Sequence, residues 1–296
     1  MNLYLIGNFL SYATLLMIAG TGNCFVLKNG QMNLGGEGQI YLGGFLAAIT
    51  INFLEQYFNN FILVHFITLI ICIFSGVLVT SFCAELKCKR GATELLTTFL
   101  LSAAIIPLID QGIAGYFRTT QENLLATEKI NQIFRLKQLL PPSSFNISFF
   151  IALLICYISY IILNKTLFGE RVSIYGISQE FALFSGFSKR KSTYIPLIIG
   201  GAFHSIAGYF AIVGIYYTCH SGFYSGIGWN ALSVALISKA NPLVVIPTSL
   251  LLSLIFSIAD YITLIKNFSF DISTLIQGTI LFCIGLFSFI IKKRGE

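Results

Sequence analysis

Charged residues are scarce in this chain of 296 residues: they make up 10% of it, whereas 56% is hydrophobic. A soluble globular domain carries about 25% charged residues, and the mean hydropathy here is +0.82. A water-soluble fold of this length cannot bury so much apolar surface. The composition therefore excludes a soluble protein and predicts a polytopic membrane protein, with the lipid bilayer as its solvent.

The sequence also lacks the usual signatures of catalysis, metal binding and nucleotide binding. Its three histidines are scattered, its cysteines form no C-x-x-C pair, and no G-x-x-x-x-G-K-[ST] loop is present. A membrane-embedded enzyme would need a clustered nucleophile and base or a pair of carboxylates, and the sequence shows no such spacing. We therefore expect that the chain is not an enzyme, binds no cofactor or metal itself and does not bind nucleic acid.

Apolar runs long enough to cross a bilayer, about 20 residues each, recur along the chain. They occupy residues 3–20, 38–54, 61–83, 94–116, 145–164, 193–217, 243–262 and 272–291. A further run at 230–237 is shorter, and none alternates like a strand of an outer-membrane barrel. The sequence predicts an all-α bundle of about 8–9 transmembrane helices, with short or broken helices near 28–40 and 226–241.

Basic residues in the short connections, which give the chain its net charge of +6, predict its orientation. Three groups are expected on the cytoplasmic side: Lys87, Lys89 and Arg90; Lys165, Arg171, Lys189, Arg190 and Lys191; and Lys292, Lys293 and Arg294. The N-terminus then lies outside, provided that the short segment at 229–241 supplies one crossing. We expect residues 1–296 to form a single transmembrane domain with a cytoplasmic loop at about 164–192, and an amphipathic surface helix in the outer connection at 117–144.

The stretch GQMNLGGEGQIYLGGF, residues 30–45, places polar side chains and glycines between two apolar runs. Backbone can be broken inside a membrane only where it lines a cavity or is buried in protein, and glycines permit the bend. Asn33, Glu37 and Gln39 supply hydrogen-bonding groups beside this break. Glu37 is costly at that depth, so we expect it to be paired, protonated or hydrated. A plain cytoplasmic turn is the alternative.

A second stretch of the same kind, HSGFYSGIGWNALSVALISKANP, covers residues 220–242. Its glycines are followed by Trp229 and Asn230, and its short apolar run stops at Asn241-Pro242. Short, glycine-interrupted segments in the two halves of a membrane protein are the best sequence indication of a transport site. The alternative is that the aromatic residues anchor the chain at the membrane surface.

Ionisable residues within the apolar runs leave a second transport mechanism open. His65, His204, Asp110 and Asp260 are the candidates for a proton relay, which would indicate a proton-coupled secondary transporter. None of them recurs at helical spacing with another ionisable residue, and the two aspartates fall toward helix ends.

Three segments, in this order and spacing, resemble the permease subunits of nucleoside-type ABC importers, within the branched-chain amino acid, sugar and nucleoside permease family. They are LKNGQMNLGGEGQIYLGGF, the cytoplasmic segment 168–187, and GFYSGIGWNALSVALISKANPLVV. The middle segment keeps Gly176, Glu180, Ala182 and Gly186 of the family pattern but replaces its asparagine-proline and arginine. SIADYI, at 257–262, lacks glycines that the family usually has there.

The resemblance implies the type II ABC importer permease fold and a multi-pass location in the bacterial cytoplasmic (inner) membrane. It also implies three kinds of partner: a second homologous permease, an ABC ATPase that holds the ATP and magnesium, and an extracytoplasmic substrate-binding lipoprotein. The segment at about 178–187 is then the coupling helix that docks on the ATPase. Its candidate residues are Ser178, Gln179, Glu180, Phe181, Ala182 and Gly186.

The solute implied by the resemblance is a nucleoside or a related ring-plus-polyol compound such as riboflavin. Asn33, Glu37, Gln39, Trp229 and Asn230 are then expected near its pathway. The amides offer paired donors and acceptors, and Trp229 offers a stacking face. Glu37 has a second possible role, which is to brace a broken helix by accepting backbone N–H bonds.

Overall fold

The computed structural model describes residues 3–120 and 123–265, together with 275, 278, 279 and 282. Over these residues the chain is helical, with two isolated β-bridges and no longer strand, which confirms the all-α class. The helices are α1 Leu3–Lys28, α2 Gly36–Leu54, α3 Phe61–Arg90, α4 Glu94–Ala114, α5 Ser148–Lys165, α6 Leu167–Ile177, α7 Gln179–Phe184, α8 Lys189–Ala211, α9 Ile227–Ile237 and α10 Pro242–Ile265. The helix predicted at 272–291 and the basic cluster at 292–294 lie outside the described ranges, apart from the isolated positions above.

Six of the described helices are long and apolar enough to cross a membrane: α1, α3, α4, α5, α8 with its continuation to Tyr216, and α10. Several of these helices extend past the end of the predicted apolar run, because the residue that stops the helix lies further along the chain. Helix α3, predicted at 61–83, shows this, and capping residues define both of its ends. The Asn60 side chain accepts the backbone N–H groups of Ile62 and Leu63 at 3.0 and 3.2 Å. Gly91 then ends the helix in the left-handed conformation, at φ 69°.

One end of the bundle carries the two predicted cytoplasmic basic groups that lie within the described ranges, and we call it the basic end. Lys28 closes α1 there and donates to the Leu163 carbonyl at the end of α5, at 3.0 Å. Arg190, in the first turn of α8, pairs with Glu85 of α3 at 3.4 Å. Helices α1, α3 and α5 therefore run toward the basic end, and α8 runs away from it.

The helices α2 and α9 are half-helices that begin inside the bundle. Gly36, the first residue of α2, lies against His204 near the middle of α8 and against Gly228 in the first turn of α9. From this meeting point α2 runs away from the basic end. In its last turn, at the opposite end of the bundle, Asn52 donates to the Glu128 carbonyl at 3.0 Å. Helix α9 runs the other way, toward the basic end. The chain therefore contains two similar units, each a long helix, a broken segment, a half-helix and another long helix. The first unit is α1 to α3, and the second comprises α8, α9 and α10. The second unit crosses the bundle in the opposite direction, an inverted repeat typical of transporters.

Close approach of small residues holds these helices together. Gly76 of α3 lies against the Gly201 carbonyl and the Ser205 hydroxyl of α8, and Gly208 of α8 lies against the Ile40 carbonyl of α2. A Cβ atom at either glycine would overlap backbone. Because lipid gives no hydrophobic force between helices, such tight backbone packing supplies their association.

The amphipathic surface helix predicted at 117–144 is not formed, so that prediction was wrong. The described part of this connection contains only a 3-10 turn, Gln132–Phe134, and otherwise runs irregularly. Some of its backbone hydrogen bonds go instead to the segment that follows α8: Thr127 and Ile130 donate to the carbonyls of Cys219 and Tyr217, at 3.0 and 2.9 Å. Tertiary pairing therefore replaces the helix that the local pattern favoured.

Replacing Gly76 with alanine should destabilise the bundle by about 1–3 kcal/mol, because the new methyl group overlaps the backbone of α8. Gly112→Ala is the matched control, since the nearest atom to its added Cβ is the tip of the Phe45 ring at 3.1 Å. Alanine also has the higher helix propensity, so the control should be neutral or stabilising. Thermal unfolding of both purified variants checks this, and equal melting temperatures would contradict the packing argument.

Candidate functional site

The two broken segments, residues 29–35 and 217–226, bring the N-termini of α2 and α9 together. Gly228 is so close that a Cβ atom there would overlap the backbone of Gly36 and Glu37. Gly226, just before α9, has φ 81°, a left-handed conformation that favours glycine. We call this meeting point, formed by residues 33–39 and 226–230, the half-helix junction. It brings the five predicted pathway residues together.

Glu37 caps the helix that faces it. Its carboxylate accepts the backbone N–H groups of Gly226, Gly228 and Trp229 at 3.3, 2.9 and 3.2 Å. Helix α9 has no side-chain cap of its own, and its N-terminus leaves backbone donors unpaired that a carboxylate satisfies well. Glu37 is 7% exposed. This geometry favours the second role considered for Glu37, which is to brace a broken helix by accepting backbone N–H bonds. The backbone that Glu37 braces belongs to α9, whereas Glu37 itself lies in α2.

Asn33 and Gln39 bond to each other across the start of α2. The Asn33 amide nitrogen donates to Gln39 Oε1 at 2.9 Å, and the Gln39 amide nitrogen donates back to Asn33 Oδ1 at 3.2 Å. Asn33 Oδ1 also accepts the Gly35 N–H at 2.9 Å. The two side chains are 2% and 1% exposed. Their hydrogen-bonding groups therefore stabilise the break itself, and contact with a solute stays a prediction for both.

Trp229 and Asn230 lie on neighbouring positions of α9 but in different surroundings. Asn230 is buried, and its amide donates to the Tyr12 hydroxyl of α1 at 3.0 Å. Trp229 is 41% exposed, and its ring lies 6.4 Å from the ring of Phe99 on α4. Of the five predicted pathway residues, Trp229 alone presents a large exposed side chain. Its contact with a solute likewise stays a prediction.

The structure adds residues to the junction that the sequence reading missed. Thr98 and Ser102, one turn apart on α4, accept the backbone N–H groups of Leu34 and Gly38 at 3.1 and 2.7 Å. They hold the first turn of α2 against α4. The available sequence signal was two hydroxyl residues at an i, i+4 spacing inside an apolar run, which places them on one face of the helix.

Three of the four residues considered for a proton relay, His65, Asp110 and His204, bond to separate partners. His65 pairs with the Tyr209 hydroxyl at 2.6 Å, while Asp110 accepts from Tyr41 and Ser221 at 2.6 and 2.7 Å. His204 Nδ1 donates to the Gly200 carbonyl at 2.8 Å. Over residues 3–120 and 123–265, no group of three or more histidine, cysteine, aspartate or glutamate residues is placed to hold a metal ion.

The predicted coupling residues form a short helical corner at the basic end, residues 178–187, which we call the coupling corner. Ser178 caps α7, its hydroxyl accepting the Phe181 N–H at 3.3 Å, and Ala182 packs inward. Phe181 and Phe184 project outward and are 61% and 94% exposed. Gly186 turns the chain toward α8 at φ 88°. The helix spans Gln179–Phe184, shorter than the predicted 178–187, and Gln179 and Glu180 are exposed in its first turn.

Half-helices that meet inside an apolar bundle define the class of this protein: a multi-pass membrane transport protein. The family model described as the branched-chain amino acid transport system / permease component matches residues 5–285. The chain belongs to this permease family.

Individual relatives agree with the family. The chain is 32% identical over 242 residues to the probable riboflavin import permease protein of Treponema pallidum, a match covering 79% of this chain and 62% of the relative. It is 25% identical over 241 residues to the guanosine ABC transporter permease protein of Bacillus subtilis, covering 79% of this chain and 68% of that protein. The glucose ABC transporter permease protein of Haloferax volcanii is 24% identical to it over 251 residues, a match covering 81% of this chain and 65% of that protein. The chain thus spans less than two thirds of the Treponema relative.

Replacing Glu37 with alanine should destabilise the protein by about 2–4 kcal/mol, because it leaves buried backbone donors of α9 without an acceptor. Glu37→Gln should cost less, since one oxygen remains to accept the Gly228 and Trp229 N–H groups. Thermal unfolding in detergent measures both. Glu128→Ala, at an exposed position, is the control, and a Glu37→Ala variant as stable as this control would refute the capping role.

Proposed function

We propose that the chain is the transmembrane permease subunit of an ATP-driven ABC importer in a bacterial cytoplasmic membrane. The observation that carries this proposal is the family match over residues 5–285, which includes both broken segments and the cytoplasmic corner. ATP and magnesium belong to a partner ATPase, consistent with the lack of a phosphate-binding loop in the sequence. A second homologous permease completes the pathway, and a substrate-binding lipoprotein delivers the solute.

The proposed solute is a nucleoside or a related ring-plus-polyol compound such as riboflavin. Two relatives support it by their names, one as a probable riboflavin import permease and one as a guanosine permease. Both compounds join a flat heteroaromatic ring to a chain or ring of hydroxyl groups. The exposed face of Trp229 beside Phe99 offers a stacking surface for such a ring.

The proposed path for energy runs from α7 along α8 to the half-helix junction. The exposed Phe181 and Phe184 would enter a groove on the ATPase. Helix α8 begins just after this corner, and His204, near its middle, touches Gly36 of α2. Closure of the ATPase dimer would then tilt α5 and α8 as rigid bodies and alternate access to the pathway.

The first test is to co-express the chain with the ATPase, second permease and binding protein encoded beside it, and to measure ATP hydrolysis with loaded binding protein. Stimulation by a nucleoside or by riboflavin would support the importer and name its solute. If no ATPase co-purifies, the importer proposal fails, and the proton-coupled carrier becomes the explanation to test.

Phe184→Ala should lower solute-stimulated ATP hydrolysis about tenfold or more, because a buried aromatic anchor in an interface typically contributes 2 kcal/mol or more. Phe74→Ala is the matched control: this side chain is 59% exposed, but on α3 and away from the coupling corner. Both variants must elute as intact protein in gel filtration. Equal, unchanged activities would argue against α7 as the docking helix.

Trp229→Ala should slow solute uptake about tenfold while assembly and basal ATP hydrolysis persist, since stacking on a base is worth about 1–3 kcal/mol. Trp229→Phe keeps an aromatic face and should retain most uptake. Radiolabelled-solute uptake into vesicles measures both. Normal uptake by the alanine variant would remove Trp229 from the pathway.

A further inference from the structure

A recess of about 400 Å³ opens at the basic end between α6, the turn at 185–188 and the first turns of α8. It lies on the membrane side of the coupling corner, since its inner wall includes Asn29, just after α1, and Pro196, within α8. The exposed faces of Phe181 and Phe184 are not part of its lining. We call it the α6–α8 recess. Of the predicted coupling residues, only Gly186 is among its lining residues.

The lining of the α6–α8 recess is positively charged. Arg171 of α6 and Lys191 of α8 are both among its lining residues, and no carboxylate is. Within the described ranges neither cation forms an ion pair. The Arg171 guanidinium lies 6.0 Å from the centre of the Phe187 ring, another lining residue. The first turn of α8 adds the partial positive charge of a helix N-terminus.

A buried hydrogen-bond acceptor at the inner wall lacks a partner. Asn29 is fully buried, and its amide nitrogen donates to the Ser192 carbonyl at 2.9 Å and to Gln31 Oε1 at 2.8 Å. These two bonds fix which amide atom is the oxygen. Asn29 Oδ1 then has no partner among the described residues. A buried acceptor of this kind is costly unless a hydroxyl or water donates to it.

The rest of the lining is apolar and suits a lipid better than a soluble ion. Phe168, Val172, Ile195 and Pro196 form this part of the wall. Basic pockets between transmembrane helices on the cytoplasmic side bind anionic lipid headgroups. A free phosphate or a protein carboxylate would use the two cations but leave this apolar wall uncovered.

We propose that the α6–α8 recess binds the headgroup of an anionic glycerophospholipid, with its phosphate between Arg171 and Lys191. Phosphatidylglycerol is such a lipid. The bound lipid would join α6 and the turn at 185–188 to α8, and so would stiffen the connection between the coupling corner and the bundle.

Native mass spectrometry of the full-length chain in detergent tests this by titration with phosphatidylglycerol, phosphatidylcholine and inorganic phosphate. We expect saturable binding of one phosphatidylglycerol that neither phosphatidylcholine nor millimolar phosphate displaces. Displacement by inorganic phosphate would show a soluble-anion site and overturn the lipid assignment. Equal binding of the two lipids would overturn it as well. This titration uses the unmodified protein and requires no substitution.

The double variant Arg171→Gln/Lys191→Gln should bind phosphatidylglycerol about tenfold more weakly or worse, since each charged group forms a strong hydrogen bond to phosphate. Lys165→Gln/Lys189→Gln removes the same charge from exposed positions at the same end that do not line the recess. The affinity of this control variant for phosphatidylglycerol should stay within about threefold of that of the unmodified chain. Equal losses in the two variants would reveal general surface attraction and refute a specific site.

Discussion

The interaction on which the structure depends is the capping of α9 by Glu37. Two half-helices meet with their N-termini facing each other, and each N-terminus carries about half a positive charge. A single carboxylate between them, accepting three backbone N–H groups, balances that charge and satisfies the donors. Without such an acceptor, exposed backbone inside an apolar bundle would be prohibitively costly. The glycines around Glu37 serve this contact, because only they let the two backbones approach so closely.

Because the junction satisfies its own polar groups, its chemistry is largely structural. Asn33 and Gln39 bond to each other, Asn230 bonds to Tyr12, and hydroxyl groups of α4 hold the start of α2. What remains at the surface is one aromatic face, that of Trp229. A polar residue at a membrane break is therefore weak evidence of solute contact until its hydrogen bonds have been assigned. In this permease-family chain the break is held by hydrogen bonds among its own side chains and backbone.

Helix α8 links that centre to the basic end. It starts beside the coupling corner, packs its glycines against α3 and α2, and reaches the junction through His204. Tight contacts between small residues transmit displacement well, since packed interfaces deform little. The same end carries the cationic α6–α8 recess, so the helix start, the coupling corner and the membrane surface meet in one place.

The sequence alone determined the features that depend on composition and local pattern. Apolar length predicted the all-α membrane class, the two glycine-rich polar stretches located both breaks, and Ser178 indicated the start of α7. Only the tertiary structure decided which groups pair: that Glu37 caps α9, that Thr98 and Ser102 hold α2, and that Thr127 and Ile130 bond to the segment after α8. The reason is physical. Whether a segment crosses a membrane is set by its own residues, whereas a buried polar group is satisfied by partners far away in the chain, which local sequence does not specify.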